Sequence, residues 1–407
     1  MTKVIVIGGG AAGLISAIYS AKEGNEVTIL EKNANCGKKI LVTGNGRCNY
    51  FNEDQSLYHF HTSSSNELGL LLNENNNEEI LNFFESIGII PKIKNGYYYP
   101  MSNQATSINN ALILEAKLQN VDIKNNISVL DVEKISAGFK VITDYEEYYC
   151  DKVIVATGSM AAPKTGSDGF GYKLLQKLGH TIIKPLPALV QLVSNDEITA
   201  YWDGVRTEVI CELFVDDEAI KKEAGEIMLT DYGVSGICIF NLSGEVSKAL
   251  NVSQKVSIKI NFIPNLDIIN PVEWLDEYNR KVNDRTISEL LDGLLNYKLV
   301  NAILKKLKID KDTYWEDLSD LDKDNVVRSI TNYQINITGT NSFDKAQVCS
   351  GGVSLCEINL DNMESKILPN LYIAGELLDV DGDCGGYNLT WAWISGMTAG
   401  KGTGKND

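Results

Sequence analysis

Three features of the 407-residue sequence predict an α/β fold built from both chain ends, with β-rich and helical segments inserted between them. A β-turn-α-β pattern fills the first thirty-odd residues. Glycine-rich loops follow strands at three distant places, one early, one near residue 157 and one near the C-terminus. Between the last two, the apolar periodicity turns first strand-like and then helical.

The opening unit begins with a β-branched apolar run at residues 3–7. Gly8-Gly-Gly-Ala-Ala-Gly13 then leads into a helical pattern over 14–23, and 26–30 is the next strand. A polar glycine loop covers 33–52 and a Ser- and Asn-rich stretch follows. Helical patterns cover 78–87, stopped by Gly88, and 105–119. Alternation over 127–149 predicts short antiparallel strands, and 152–156 is a buried-type strand ended by Thr157-Gly158. Residues 1–190 thus form the first part of one domain. Residues 191–263 are strand-rich with glycine punctuation, and 264–333 are mostly helical, with Leu and Ile three and four residues apart. Residues 334–407 return to the first domain with strands at 334–337, 347–353 and 371–374 and a closing loop rich in glycine and aspartate.

Composition narrows the function classes. With 44% hydrophobic residues the chain buries a sizeable core. A formal charge of −17 surrounds it with a field that disfavours nucleic acid and anionic membrane as partners and leaves a small molecule as the expected substrate. The N-terminus has no basic leader and no apolar run reaches about 18 residues, so a cytoplasmic protein is expected. Eight scattered cysteines without a C-x-x-C pair read as reduced thiols, and three histidines make a histidine-rich metal site unexpected.

The spacing Gly8-x-Gly10-x-x-Gly13 gains its meaning from context. The first glycine permits the strand-to-helix turn, the second lets backbone approach a pyrophosphate, and the third lets helix and strand pack closely. Ala11 and Ala12 lie in the turn that leads into the helix, whose N-terminus offers unpaired N–H groups to phosphate. Glu31, at the end of the second strand, stands where a carboxylate accepts ribose hydroxyls, with Lys32 beside it. This is a Rossmann-like dinucleotide unit. The length of FAD explains the other glycine loops: Gly37 to Asn49, Ala156-Thr157-Gly158, and the run from Tyr372 to Leu389.

The motifs Thr43-Gly-Asn-Gly-Arg-Cys-Asn49, Gly233-Val-Ser-Gly236, Gly351-Gly-Val353, Gly375-Glu-Leu-Leu-Asp-Val-Asp-Gly-Asp383 and Gly385-Gly-Tyr-Asn388 resemble those of a bacterial family of FAD-dependent oxidoreductases. That family includes bile-acid 4,6-reductases and flavoproteins labelled as an aminoacetone oxidase family. The resemblance spans nearly the whole chain. It implies an FAD domain made from both chain ends, interrupted by a barrel-like β insertion and a small helical one, with backbone near Val129 at the adenine edge. The chain departs from the family at Ile237, where proline is usual, at Asp231, where histidine follows threonine, and at Tyr97, where arginine is common.

Residue roles follow from chemistry. Gly375-Glu376 ends a strand with a carboxylate suited to a ribitol or ribose hydroxyl, and Asp379 is a second such acceptor. Gly386-Tyr387-Asn388-Leu389 opens the last helix, whose positive end stabilises an anionic reduced flavin by up to about 2 kcal/mol. Gly44, Arg47 and Asn49 lie in the loop expected over the pyrophosphate or flavin, and Lys39 or Lys38 is a candidate for the N1 and O2 edge. Cys48 beside Arg47 reads as a packed thiol or a redox group. Asp379, Asp381 and Asp383 alternate as in a calcium loop, but the twelfth position holds Thr390, so no metal is expected. His59, His61 and His180 follow no catalytic pattern, and no catalytic residue is assigned.

The expected activity is FAD-dependent hydride transfer through flavin N5, with NAD(P)H as transient reductant and a small apolar enone-like acceptor. No second G-x-G-x-x-G is present for a resident nicotinamide. The alternatives are an amine or aminoketone oxidase using oxygen, and a non-catalytic flavin-binding redox sensor or RNA-modification accessory.

Overall fold

The computed structural model describes residues 1–64, 68–264, 266 and 269–404. The chain divides into two compact units, Met1–Leu186 with Gln347–Asp407, and Pro187–Ala346.

In the first unit the apolar runs line up in one seven-stranded sheet. Its parallel part has the order Asp122–Asn125, Glu26–Glu31, Lys3–Ile7, Lys152–Val155, Leu371–Ile373. The short antiparallel strands Glu364–Ser365 and Ile358–Asn359 complete the edge. Strands covered on both faces need apolar residues at successive positions, which is why Lys3–Ile7 and Lys152–Val155 read as continuous runs. The strands following Lys3–Ile7 in sequence lie on both sides of it. The crevice beyond its carboxyl end is therefore a topological switch point, and Gly8 stands there.

Helix Ala11–Lys22 is buried from Ala12 through Ser20, because it packs against the sheet and also against the last helix, Tyr387–Gly402. Two glycines permit that approach. A Cβ on Gly396 would lie 2.7 Å from the Ala12 carbonyl oxygen, and one on Gly400 would lie 2.5 Å from that of Ser16. Both chain ends thus share one core, as the sequence predicts. The expected antiparallel strands are present as Val129–Ile135, Gly138–Thr143 and Glu147–Cys150.

The second unit holds a seven-stranded antiparallel sheet, ordered Tyr333–Ile337, Val256–Asn261, Arg206–Val215, Glu218–Thr230, Gly233–Gly236, Leu192–Val193, Gly339–Thr340. Its first and last members are separated in sequence only by Thr338, so the ladder closes on itself as a barrel. Helices Pro271–Lys281, Ile287–Asp292, Tyr297–Leu307 and Asp320–Thr331 form the helical part, each capped at its start by an Asn, Thr or Ser side chain.

Two details differ from the sequence reading. Strand Tyr333–Ile337 belongs to the inserted sheet, where it pairs with Val256–Asn261, rather than to the returning C-terminal part. The strand-rich stretch also contains a helix, Ile237–Asn251, whose buried face of Cys238, Ile239, Leu242, Val246 and Ala249 has helical spacing. Its opening apolar run Ile237-Cys-Ile-Phe240, followed by Gly244, matches the strand-and-glycine pattern around it. Among the described residues no helix is long and apolar enough to cross a membrane.

Candidate functional site

The glycine turn shows three different uses of the same residue. Gly8 has φ +101°, and a Cβ there would lie 2.6 Å from the Ala156 carbonyl oxygen. A Cβ on Gly13 would overlap the carbonyl oxygen of Gly8. Gly10 has an extended backbone, φ −80° and ψ −164°, which any residue adopts, and nothing lies within 4 Å of where its Cβ would be. Gly10 is therefore explained by neither conformation nor internal packing. The space it leaves adjoins the start of helix Ala11–Lys22, which has neither a side-chain cap nor an acid in its first turn.

Glu31 is buried at the end of its strand. Its Oε2 accepts the Gly9 N–H at 2.7 Å and its Oε1 accepts the Asn33 N–H and Nδ2–H, each at 2.7 Å. Ile127 N–H donates to the Glu31 carbonyl at 3.0 Å, which brings the segment leading to Val129 beside this carboxylate. Lys32 pairs with Asp168 at 2.7 Å.

Gly375 joins the two chain ends. A Cβ on it would lie 2.7 Å from Ala12 Cβ; its N–H donates to Ser395 Oγ at 2.9 Å and its carbonyl accepts Trp391 Nε1–H at 3.1 Å. It thus touches the first turn of one helix and is tied twice to the other. The next residue, Glu376, gathers three more segments. Its Oε2 accepts Lys39 Nζ at 2.5 Å, and its Oε1 accepts Ser159 Oγ at 2.8 Å and the Cys349 amide at 3.3 Å. Burial, with Glu376 adding to it, pushes the Cys349 thiol up to about 11. Gly158 packs over Ser167, one residue before Ser159.

Around the last helix, Gly386 is the N-terminal capping residue, without a side-chain cap, and lies against Asn49 and Phe51. Asn388 closes the preceding loop on itself, accepting the Gly382 N–H at 2.8 Å and donating to its carbonyl at 2.7 Å. Tyr387 is buried and Leu389 half-buried. Trp393, fully buried, donates its indole N–H to the Tyr50 carbonyl at 2.9 Å, fixing the segment after Asn49.

Not every candidate joins this group through a direct contact. Gly44 and Arg47 are exposed, with the guanidinium 5.6 Å from the Tyr99 ring centre. Cys48 is fully buried, and burial pushes its thiol up to about 12, which leaves negligible thiolate near neutral pH. Asp379 accepts hydrogen bonds from Ser63 and Thr62. Among the described residues no group of three or more His, Cys, Asp or Glu is arranged to hold a metal ion.

The residues fit the expected dinucleotide on two counts. Gly10 leaves a cradle that a Cβ would fill, beside open helix amides. Asn49 Oδ1 and Thr157 Oγ1 are buried polar atoms without a hydrogen-bond partner, one beside Gly386 and the other next to Ala156 at the glycine turn. Such atoms are costly unless something completes them.

Residues 2–402 match the family described as the HI0933-like protein Rossmann domain. The chain belongs to that family. The chain is 36% identical over 403 residues to the 3-dehydro-bile acid delta(4,6)-reductase of Clostridium scindens, covering 98% of each chain. The ribosomal RNA dihydrouridine synthase of Haemophilus influenzae is 28% identical over 398 residues, 96% of each. In fold this HI0933-like chain is similar to the 3-ketosteroid-delta4-(5alpha)-dehydrogenase of Rhodococcus jostii, with TM-score 0.53 and 14% identity over 100% of this chain and 97% of that one.

The sequence reading missed one cluster in this HI0933-like site. His59 Nδ1 lies 3.0 Å from Asp383 Oδ2 and His61 Nε2 lies 2.9 Å from Asp383 Oδ1. No spacing signals a pairing across more than three hundred residues. The two-residue spacing of His59 and His61 was a weak hint, because His59 ends the turn Leu57–His59 and only His61 lies on the strand Phe60–His61.

Proposed function

We propose that the chain is an FAD-dependent oxidoreductase that uses NAD(P)H to reduce a small apolar, enone-like molecule through flavin N5. The observation that carries the reading is Gly375, where the glycine turn and the last helix meet. Gly10, Ala11 and Ala12 offer room and helix-start amides to a pyrophosphate, and Glu31 faces the adenosine side with Val129. Asn49, Thr157 and the segment from Gly385 to Leu389 complete the site within the unit formed by both chain ends. When bound, FAD supplies reversible hydride transfer, while the protein supplies position and electrostatics.

The acceptor class draws support from the Clostridium scindens relative, whose name describes reduction of conjugated C=C bonds in a 3-oxo steroid acid. The Haemophilus influenzae relative favours a second reading, in which the acceptor is a uridine of ribosomal RNA. Both names describe adding two hydrogens across a conjugated C=C. The net charge of −17 favours the small acceptor, because phosphate binding requires a cationic face. A cytoplasmic location accords with a nicotinamide reductant.

Anaerobic titration of the yellow holoprotein tests the proposal. NADH or NADPH is expected to bleach the flavin, and a 3-oxo-Δ4,6 bile acid to restore its colour. Restoration by uridine-containing ribosomal RNA alone selects the second reading. Peroxide formation from amines, without nicotinamide consumption, selects an oxidase. A purified chain that holds no flavin contradicts all three.

A further inference from the structure

We propose that His61 delivers, through Nδ1, the proton that accompanies hydride transfer, with Asp383 and His59 as its positioning residues. The inference rests on the reductase reading above, because adding hydrogen to a conjugated C=C needs a proton as well as a hydride.

The geometry assigns the nitrogen. An ionised carboxylate only accepts hydrogen bonds, so Asp383 Oδ1 at 2.9 Å fixes His61 with its proton on Nε2 and turns Nδ1 away from the carboxylate. Among the described residues Nδ1 of His61 has no partner. The Asp383 carboxylate is 3% exposed, and its other oxygen is held by His59 Nδ1 at 3.0 Å. His59 cannot swing freely, since its Nε2 faces Asp54 Oδ2 at 3.2 Å and its ring stacks on Tyr387 at 4.4 Å. The arrangement thus has a buried carboxylate, a locked ring on one side, and on the other a ring with a single open nitrogen. A carboxylate that orients an imidazole in this way is the logic of acid–base catalysis.

Its place matches the role. Tyr387 opens the last helix, and Gly386 adjoins Asn49 and Phe51, where the flavin end of the cofactor is proposed. Strand Phe60–His61 pairs with Asp381–Gly382, so Asp381 stands opposite His61. Asp379 is tied to the following Thr62 and Ser63. Tyr58 lies edge-on to His59, and Tyr97 and Cys384 border Gly385 and Tyr387.

When bound, reduced FAD would supply a hydride, two electrons and a proton, to one carbon of the C=C. His61 acts in its doubly protonated form, with a second proton on Nδ1 besides the one held on Nε2 by Asp383; that Nδ1–H bond breaks, its electron pair stays on nitrogen and the ring is left neutral. The proton joins the conjugated partner atom, completing the addition of two hydrogens. His61 is about one quarter exposed (24%) and regains its proton from water after the product leaves.

Two measurements on the holoprotein test this. Nitrogen-15 NMR is expected to find neutral His61 with its proton on Nε2, and D383N to mix the two tautomers. In single turnovers of the reduced holoprotein with a 3-oxo-Δ4,6 bile acid, H61Q is expected to be slower by about 10²–10⁴-fold and to lose the high-pH fall of the wild-type rate. Oxidation by ferricyanide, which takes only electrons, is expected to stay unchanged in H61Q. A proton on Nδ1 of neutral His61, or wild-type turnover by H61Q, overturns the proposal. A wild-type holoprotein that leaves the steroid untouched overturns the reductase reading and the donor role with it. Retained NMR geometry beside that result identifies the reductase reading as the failure.

Discussion

Replacing Gly10 by valine is expected to leave the fold intact and remove the flavin. Its extended backbone strains no side chain, and no atom lies within 4 Å of the new Cβ. The folding cost is that of a poorer helix cap, below about 1 kcal/mol. Cofactor affinity is expected to fall by at least about 100-fold, or ~2.7 kcal/mol, because the branched side chain occupies the space left for a pyrophosphate. Thermal unfolding of the apo forms and flavin release together check this. A G10V chain that retains yellow colour and wild-type affinity places the phosphates elsewhere.

Replacing Gly396 by leucine is expected to have the opposite order of effects, with the fold failing first. A Cβ there would lie 2.7 Å from the Ala12 carbonyl oxygen and would also strike the Ile15 side chain. One obstacle is backbone, so a rotamer change does not relieve it. Pushing the two helices apart is expected to cost about 3 kcal/mol or more. For a unit of this size that lowers the apo midpoint by roughly 6–12 °C, and the flavin is lost with it because Gly375 is pulled from Ala12. An apo midpoint within a degree or two of wild type contradicts the close crossing of these helices.

The contrast between the two glycines shows what was legible in the sequence. Local signals were complete: the spacing from Gly8 to Gly13, the apolar strands on either side, and Glu31 at a strand end all depend on neighbours in the chain. The family's motifs also marked the loops at Asn49 and Gly386 as candidates, and the buried-type strand ending at Thr157-Gly158 marked a third. Contacts between distant segments were not legible. Lys39 meets Glu376, 337 residues away, and His59 meets Asp383 across 324. Only the sheet order, with Leu371–Ile373 beside Lys152–Val155 next to Lys3–Ile7, brings such segments together. For the same reason Tyr333–Ile337 looked like part of the returning domain, although its partner lies in the inserted barrel. Cys48 was open to two readings because a thiol's reactivity depends on burial, which sequence does not display.

Amide hydrogen exchange with and without added FAD tests most directly whether both helix starts hold one ligand. FAD is expected to slow exchange around residues 10–13 and around 386–389 in parallel, with the same dependence on FAD concentration. Protection at one helix start alone, or at both with different concentration dependence, would contradict a single shared cofactor.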